Sequence, residues 1–160
     1  MAQNFSQARN VELSLLYYLE TNLNADWTGI AVLKSSNDVY TTTVNLPVVV
    51  AQLIDTQSVY KEVGATTLED RYLAMIDIFA KSDGQRIDLA YYIKNKLKDG
   101  WVHYDHSRPS GNTAGDLTRV ADGRDFVTEY PTDSRVDFGE QVDQKDKYRH
   151  SLAIRIRKST

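Results

Sequence analysis

Hydrophobic and polar positions divide this chain into a first helix, several short strands, a strand–helix unit in the middle and a late strand. The middle unit is the most sharply patterned. Tyr72-Leu-Ala-Met-Ile-Asp-Ile-Phe-Ala80 is apolar on both faces except at Asp77, which predicts a strand inside a sheet with something packed on each side. Lys81-Ser-Asp-Gly-Gln-Arg86 follows as a tight polar turn; Ser82 and Gln85 have the spacing of a capping box, and Gly84 suits the turn. Ile87, Ala90, Ile93 and Leu97 then recur at helical spacing, and Gly100 ends the run.

Before this unit, Val11, Leu15, Tyr18 and Leu19 share one face of a helix predicted from about Ser6 to Leu23, with polar stop signals from Asn22 to Asp26. Gly29 to Lys34 reads as a strand, Ser35 to Asp38 as a turn and Val39 to Val44 as the strand's partner, giving a hairpin with an exposed edge. Leu46 to Ile54 is another apolar strand, with Pro47 at its start, where a missing backbone donor is tolerated. After the middle unit, Trp101 to Tyr104 begins a strand that gives way to a long polar segment, Asp105 to Arg124, read as a contact loop that is mobile in the free subunit. Phe126 to Tyr130, Arg135 to Phe138 and Tyr148 to Arg157 complete the strands. In the last, Leu152, Ile154 and Ile156 face the core while Ser151, Ala153, Arg155 and Arg157 face solvent or a neighbour. The pattern predicts one α+β domain over residues 1–160: a mixed, mainly antiparallel sheet covered by two helices, with a long projecting loop.

Composition narrows the chemistry. A chain of 160 residues can bury about two-thirds of its unfolded surface and needs no staple. It contains no cysteine, so a disulfide framework, a thiolate metal site and a cysteine nucleophile are excluded together. The first ten residues show no basic segment leading into an apolar stretch, and no run approaches the roughly 20 apolar residues of a membrane span. The expectation is a soluble protein not exported by that route, with no membrane partner; Asn4-Phe-Ser6 then carries no weight as a glycosylation site. The formal net charge of -3 is too small for a general attraction to nucleic acid. Its distribution is uneven: acids dominate between Asp99 and Asp146, whereas Lys147 to Thr160 carries Lys147, Arg149, Arg155, Arg157 and Lys158 without an acid.

Candidate chemistry is sparse. Asp77 is where a metal-dependent nuclease would place an acid, but no nearby Asp/Glu-x-Lys partner accompanies it, and a carboxylate at a strand end or bonded to backbone donors explains it better. His103 and His106, three apart, project to opposite faces of a strand and have no third ligand, so they read as surface histidines. His150 stands alone, in a polar or inter-subunit position. No nucleophile elbow, P-loop or dinucleotide fingerprint occurs, and the expectation is that this is not an enzyme. The basic last strand offers a single aromatic, Tyr148, too few for a single-strand nucleic-acid groove. Tyr17, Tyr18, Tyr91 and Tyr92 come in adjacent pairs on predicted helices, so one of each pair points away from the core, as suits a protein interface.

The middle unit, with Lys147-Tyr-Arg-His-Ser-Leu-Ala-Ile-Arg-Ile-Arg157, resembles the tail terminator (tail completion) proteins of long-tailed bacteriophages. The matching runs are Ile76-Asp-Ile-Phe-Ala80, Ile87-Asp-Leu-Ala-Tyr-Tyr-Ile93 and Leu152-Ala-Ile-Arg-Ile156, and the resemblance covers most of the chain in element order. It implies a virion structural protein of the tail or neck, assembled in the host cytoplasm as a ring, expected to have six copies. Such a ring caps the tail tube, stops its polymerisation and joins the tail to the head connector. The implied partners are its own copies, the tail tube protein and the head–tail connector or stopper, with the sheath as a further candidate; genomic DNA passes through the lumen without specific binding, and no cofactor is involved. Arg149, Arg155 and Arg157 would pair with acids of an adjacent subunit or tube ring, and Arg108, Asp116, Arg119 and Arg124 of the long loop would contact the tube or the neighbouring subunit. The rivals are a head-completion or stopper protein, a tail tube subunit and, from another class, a small metal-dependent nuclease.

Overall fold

The computed structural model describes residues 6–41, 44–60, 63–64, 68–106, 120–136 and 145–159. Among these, helix α1 (Gln7–Asp26) leads into strand β1 (Ala31–Leu33), helix α2 (Ser36–Thr41), strands β2 (Val48–Tyr60) and β3 (Leu68–Phe79), helix α3 (Asp83–Leu97), and strands β4 (Trp101–Asp105), β5 (Val120–Arg135) and β6 (Arg149–Ser159). The strands form one six-stranded sheet in the order β1-β2-β3-β6-β5-β4, parallel only between β1 and β2. This is the mixed, mainly antiparallel α+β architecture the sequence predicts.

The sheet's edges, β1 and β4, both contact α1, so the sheet curls around that helix. Val11, Leu15, Leu19 and Leu23 line its buried stripe. Two small polar residues on α1 treat the β4 edge as a partner strand would: Ser14 Oγ accepts from the Tyr104 amide at 2.9 Å, and Asn10 Oδ1 accepts from the His106 amide at 3.0 Å. On another side of the helix, Glu12 Oε2 accepts from the Leu53 amide at 2.8 Å, beside the bulge at Ile54. An edge of unpaired backbone groups is a template for further strands; here a helix covers part of it. The α1 helix runs through its expected stop signals, because Asn22 bonds back to the Tyr18 carbonyl at 2.8 Å instead of breaking the helix.

The hairpin expected over Gly29–Val44 is not found among the described residues. Residues Ser36–Thr41 form α2, and β1 pairs in parallel with β2, Ala31 opposite Val48. Parallel strands need a crossover, and the polar run after Lys34 supplies it: Ser35 Oγ accepts from the Asn37 amide at 3.3 Å, and Thr41 Oγ1 bonds the Asn37 carbonyl at 3.0 Å. That hydroxyl bond lets a β-branched residue sit in a helix. Val39 seals the far face of the sheet with Val48, Val50 and Phe79.

The middle unit forms as expected, with β3 in the interior of the sheet and Tyr72, Ala74, Ile76 and Ile78 in the main core. Ser82 caps α3, accepting from the Gln85 amide at 3.1 Å, while Gln85 Oε1 accepts from the Lys81 amide at 2.8 Å. Gly84 lies within the first helical turn, not in a tight turn, and its φ is not positive. The buried stripe is Leu89, Ala90, Ile93 and Leu97, while Ile87 is exposed because the inward position one residue earlier belongs to Arg86. Gly100 ends the unit at φ 76°.

At the C-terminal end, a single bulged strand, β5, replaces the two strands expected at Phe126–Tyr130 and Arg135–Phe138, and it begins at Val120, inside the segment read as loop. Residues 107–119 of that segment, with the mobility expected of them, and 137–138 lie outside the described residues. Leu152, Ile154 and Ile156 are fully buried as predicted, but Ser151 and Ala153 on the opposite face are buried too; only toward Arg155 and Arg157 does that face open to water.

Candidate interaction surface

Strands β2 and β3 pair from Val48–Phe79 to Tyr60–Leu68, whereas β6 accompanies β3 only between Phe79 and Arg71. Beyond Arg71 the two strands continue as a ribbon to which, among the described residues, no third strand pairs. Pairing places Tyr60 directly opposite Leu68 on one side, with Ser58 and Asp70 bonded beneath them on the same side at 2.5 Å. Tyr60 is 67% and Leu68 50% exposed, and Ile54 and Val63 are exposed as well. A two-stranded ribbon in water is marginal by itself, and exposed apolar groups at its tip are the usual mark of a surface awaiting a partner. The expected strand stopped at Ile54, where polar Asp55, Gln57 and Ser58 begin. The β-forming Thr56, Val59 and Tyr60, followed by Gly64, were the signal that it continued.

The arginines proposed for docking are tied within the chain. Arg155 Nε lies 3.1 Å from Glu129 Oε2, and Arg157 Nε 2.5 Å from Glu69 Oε1, both pairs on the open face of the sheet. Arg149 sits deeper: its guanidinium stacks on Phe79, 4.8 Å from the ring centroid, and reaches Asp77 at 3.1 Å and Asp146 at 3.5 Å. Arg124 donates to the Asp99 carbonyl at 3.1 Å and lies over Phe126. Arg108, Asp116 and Arg119 lie outside the described residues. Asp77 lies two residues from the end of β3, one of the two placements expected for it, and among the described residues its partners are side chains, Arg149 and Ser36 Oγ at 3.4 Å, in place of the backbone donors of the other.

The histidines are not on the surface. His103 is 2% exposed, its Nδ1 3.0 Å from Oδ2 of Asp125, which is fully buried. Burial pushes the Asp125 carboxyl up, against the opposing hydrogen bond and charge of His103 and the charge of Lys158. His106 is buried, its ring in an edge-to-face contact with Tyr104 at a centroid distance of 6.0 Å. His150 bridges two elements: Arg86 Nη1 approaches its Nδ1 at 2.6 Å, and its Nε2 lies 2.7 Å from Asp133 Oδ1. A guanidinium only donates, so Nδ1 accepts and the ring proton sits on Nε2, donating to Asp133. Lys94 completes the chain at 2.6 Å from Asp133. Burial would raise the Asp133 carboxyl, but the hydrogen bonds from Lys94 and His150 outweigh it and hold it below the usual range. These links join α3 to β5 and β6 across separations of 39 and 64 residues, which no local motif could signal. Of the tyrosine pairs, Tyr91 points outward, while Tyr92 and Tyr18 pack on the core and Tyr17 meets Tyr104 edge-on.

Among the described residues no three His, Asp or Glu side chains are grouped to hold a metal, and no helix is long and apolar enough to cross a membrane. Neither a protein-family model nor a curated protein matches the chain.

Proposed function

We propose that this protein is an assembly protein of the tail-terminator type, a virion component whose copies close into a ring, taken as six, on the end of a tail tube. There it stops polymerisation and presents a face to the head connector. The observation that carries this reading is the β2–β3 arm, which holds Tyr60 and Leu68 out of the core and exposed, two apolar side chains that a partner molecule could cover. A contact between the arm of one copy and a different surface of the next is heterologous, and such contacts close into rings when the rotation per subunit allows. Coverage of the β4 edge by α1 supports the same reading, because it disfavours unlimited strand addition there.

The test is a double substitution, Tyr60→Ser with Leu68→Ser. Both side chains are exposed, so thermal unfolding should change little, while ring formation and tube capping, read by light scattering and negative-stain imaging, should be lost. A wild-type protein that stays monomeric both alone and mixed with tail tube overturns the proposal. Charge reversal at Arg155 and Arg157 is a poorer probe, since it would also strand Glu129 and Glu69.

A further inference from the structure

A second surface lies where α1 meets the β4 edge of the sheet. Aromatic rings gather there in two pairs: Tyr18 stacks on Trp101 with centroids 5.9 Å apart and planes inclined by 21°, and Tyr17 meets Tyr104 edge-on at 5.6 Å. Together with Asn22 and Arg124 they line a cleft of about 300 Å³, the lower end of the range for small-molecule sites. Trp101 is 1% exposed, and its indole Nε1 is buried with no hydrogen-bond partner. An indole N–H can only donate, and buried polar groups are nearly always partnered. Arg124 is exposed, and neutral groups hold it in place: its guanidinium lies 5.8 Å from the Phe126 ring centroid and donates to the Asp99 main-chain carbonyl at 3.1 Å. Among the described residues no carboxylate forms an ion pair with it. Of the acids nearest in sequence, Asp122 pairs with Lys158 at 3.8 Å and Asp125 with His103. Burial is the leading cause that raises the Tyr18 phenol, and the charges of Arg124 and Asp99 then act on it in opposite senses, lowering and raising it. Arg124 therefore sends its field into the cleft, with Asp99 as the opposing charge.

We propose that this cleft binds a small aromatic carboxylate, its ring among the aromatic side chains, its carboxylate on the Arg124 fork and a ligand oxygen accepting from the Trp101 N–H. A guanidinium carries five N–H donors in a plane that matches a carboxylate, and only one of them is spent on the Asp99 carbonyl. Aromatic walls favour a flat ring, which they meet offset or edge-on. A box of rings also attracts cations, but Arg124 repels them. A nucleic-acid base would need an open platform for stacking, and Trp101 is enclosed. The inference stands apart from ring formation and uses none of the arm residues.

The experiment is titration of the whole isotopically labelled protein with para-hydroxyphenylpropanoate, its primary amide and hexanoate, followed by the indole N–H signals in NMR spectra. The chain has two tryptophans; Trp101 reports on the cleft, and Trp27, which meets Tyr92 edge-on outside the lining, is the internal control. Expected are a saturable shift of the Trp101 signal with the aromatic acid while Trp27 stays in place, and weaker binding of hexanoate. Binding at least about tenfold weaker is expected for the amide and for the acid with Arg124→Gln. Arg124 is exposed, so the variant should fold, and unchanged circular dichroism confirms it. A Trp101 signal unmoved up to about 10 mM acid, both indole signals moving together, amide or hexanoate bound as tightly as the aromatic acid, or unchanged affinity in the variant each overturns the proposal. Ring formation is read separately by scattering, so either idea can fail alone.

Discussion

His103 and Asp125 meet in the interior on adjacent strands, imidazole Nδ1 3.0 Å from a carboxylate oxygen, although they stand 22 positions apart in sequence. Nothing else as polar is as deeply enclosed among the described residues. Removing one partner of a buried pair leaves the other without compensation, a loss of about 3–5 kcal/mol. His103→Ala should therefore destabilise by about 3 kcal/mol or more, and Asp125→Asn, which keeps an acceptor and removes the ionisable group, by about 1 kcal/mol. Chemical denaturation of both variants checks the order; equal losses would show that the pair matters only as packed volume.

The pH dependence of that pair has a definite sign. Because burial raises the Asp125 carboxyl, the folded chain keeps its proton after the unfolded chain has released it. Its contribution to stability is present below about pH 4 and is lost as pH rises through the folded value. Asp133 has the opposite sign: held low by Lys94 and His150 despite burial, it stabilises above about pH 4, and that gain is lost as pH falls through its lowered value. Unfolding midpoints from acid to neutral pH should show Asp133→Asn weaker than wild type by about 1 kcal/mol at neutral pH, with the gap closing in acid. A gap that widens in acid would contradict the assignment.

Two glycines with nearly equal backbone angles separate strain from collision. Gly29 at φ 75° and Gly100 at φ 76° both lie in the left-handed region, but a Cβ at Gly29 would meet nothing within 4 Å. At Gly100 it would lie 2.7 Å from the Asp125 carbonyl oxygen and 2.7 Å from the Phe126 ring. Gly29→Ala should cost about 1 kcal/mol and Gly100→Ala at least about 2 kcal/mol more. Paired melts measure the difference, and similar losses would mean that β5 gives way at no cost.

The phenols supply an alkaline test. Burial first, then the charges of Asp70 and Asp125, pushes Tyr72 up to about 12, and burial is also the leading cause that raises Tyr18, Tyr92 and Tyr130. The unfolded chain ionises its tyrosines first, so stability should fall as pH rises from about 10 to about 12. Phenolate absorbance at about pH 11 should be lower in the folded protein than in denaturant; equal absorbance would place these hydroxyls in water.

What could be read from the sequence by itself was whatever depends on near neighbours. The α1 stripe, the Ser82–Gln85 cap, Gly100 at the helix end and the buried side of β6 follow from periodicity and from bonds a few residues long, and all are found in place. The misreadings were local signals with two meanings. Polar residues after Lys34 serve a helix cap as well as a hairpin turn, and the parallel pairing of β1 with β2 selected the helix. Polar Asp55, Gln57 and Ser58 mark a loop as readily as a solvated ribbon, and pairing with Leu68–Leu73 selected the ribbon that forms the candidate interaction surface. Only the tertiary structure enclosed the histidines, tied Arg155 to Glu129 and Arg157 to Glu69, and brought Lys81 beside Lys145 and Lys147. The two ion pairs and Lys81 with its lysine neighbours span 26 to 88 positions, and the charge a side chain meets at that range is set by which strands the curled sheet makes adjacent, a quantity that hydrophobic period and spacing do not contain.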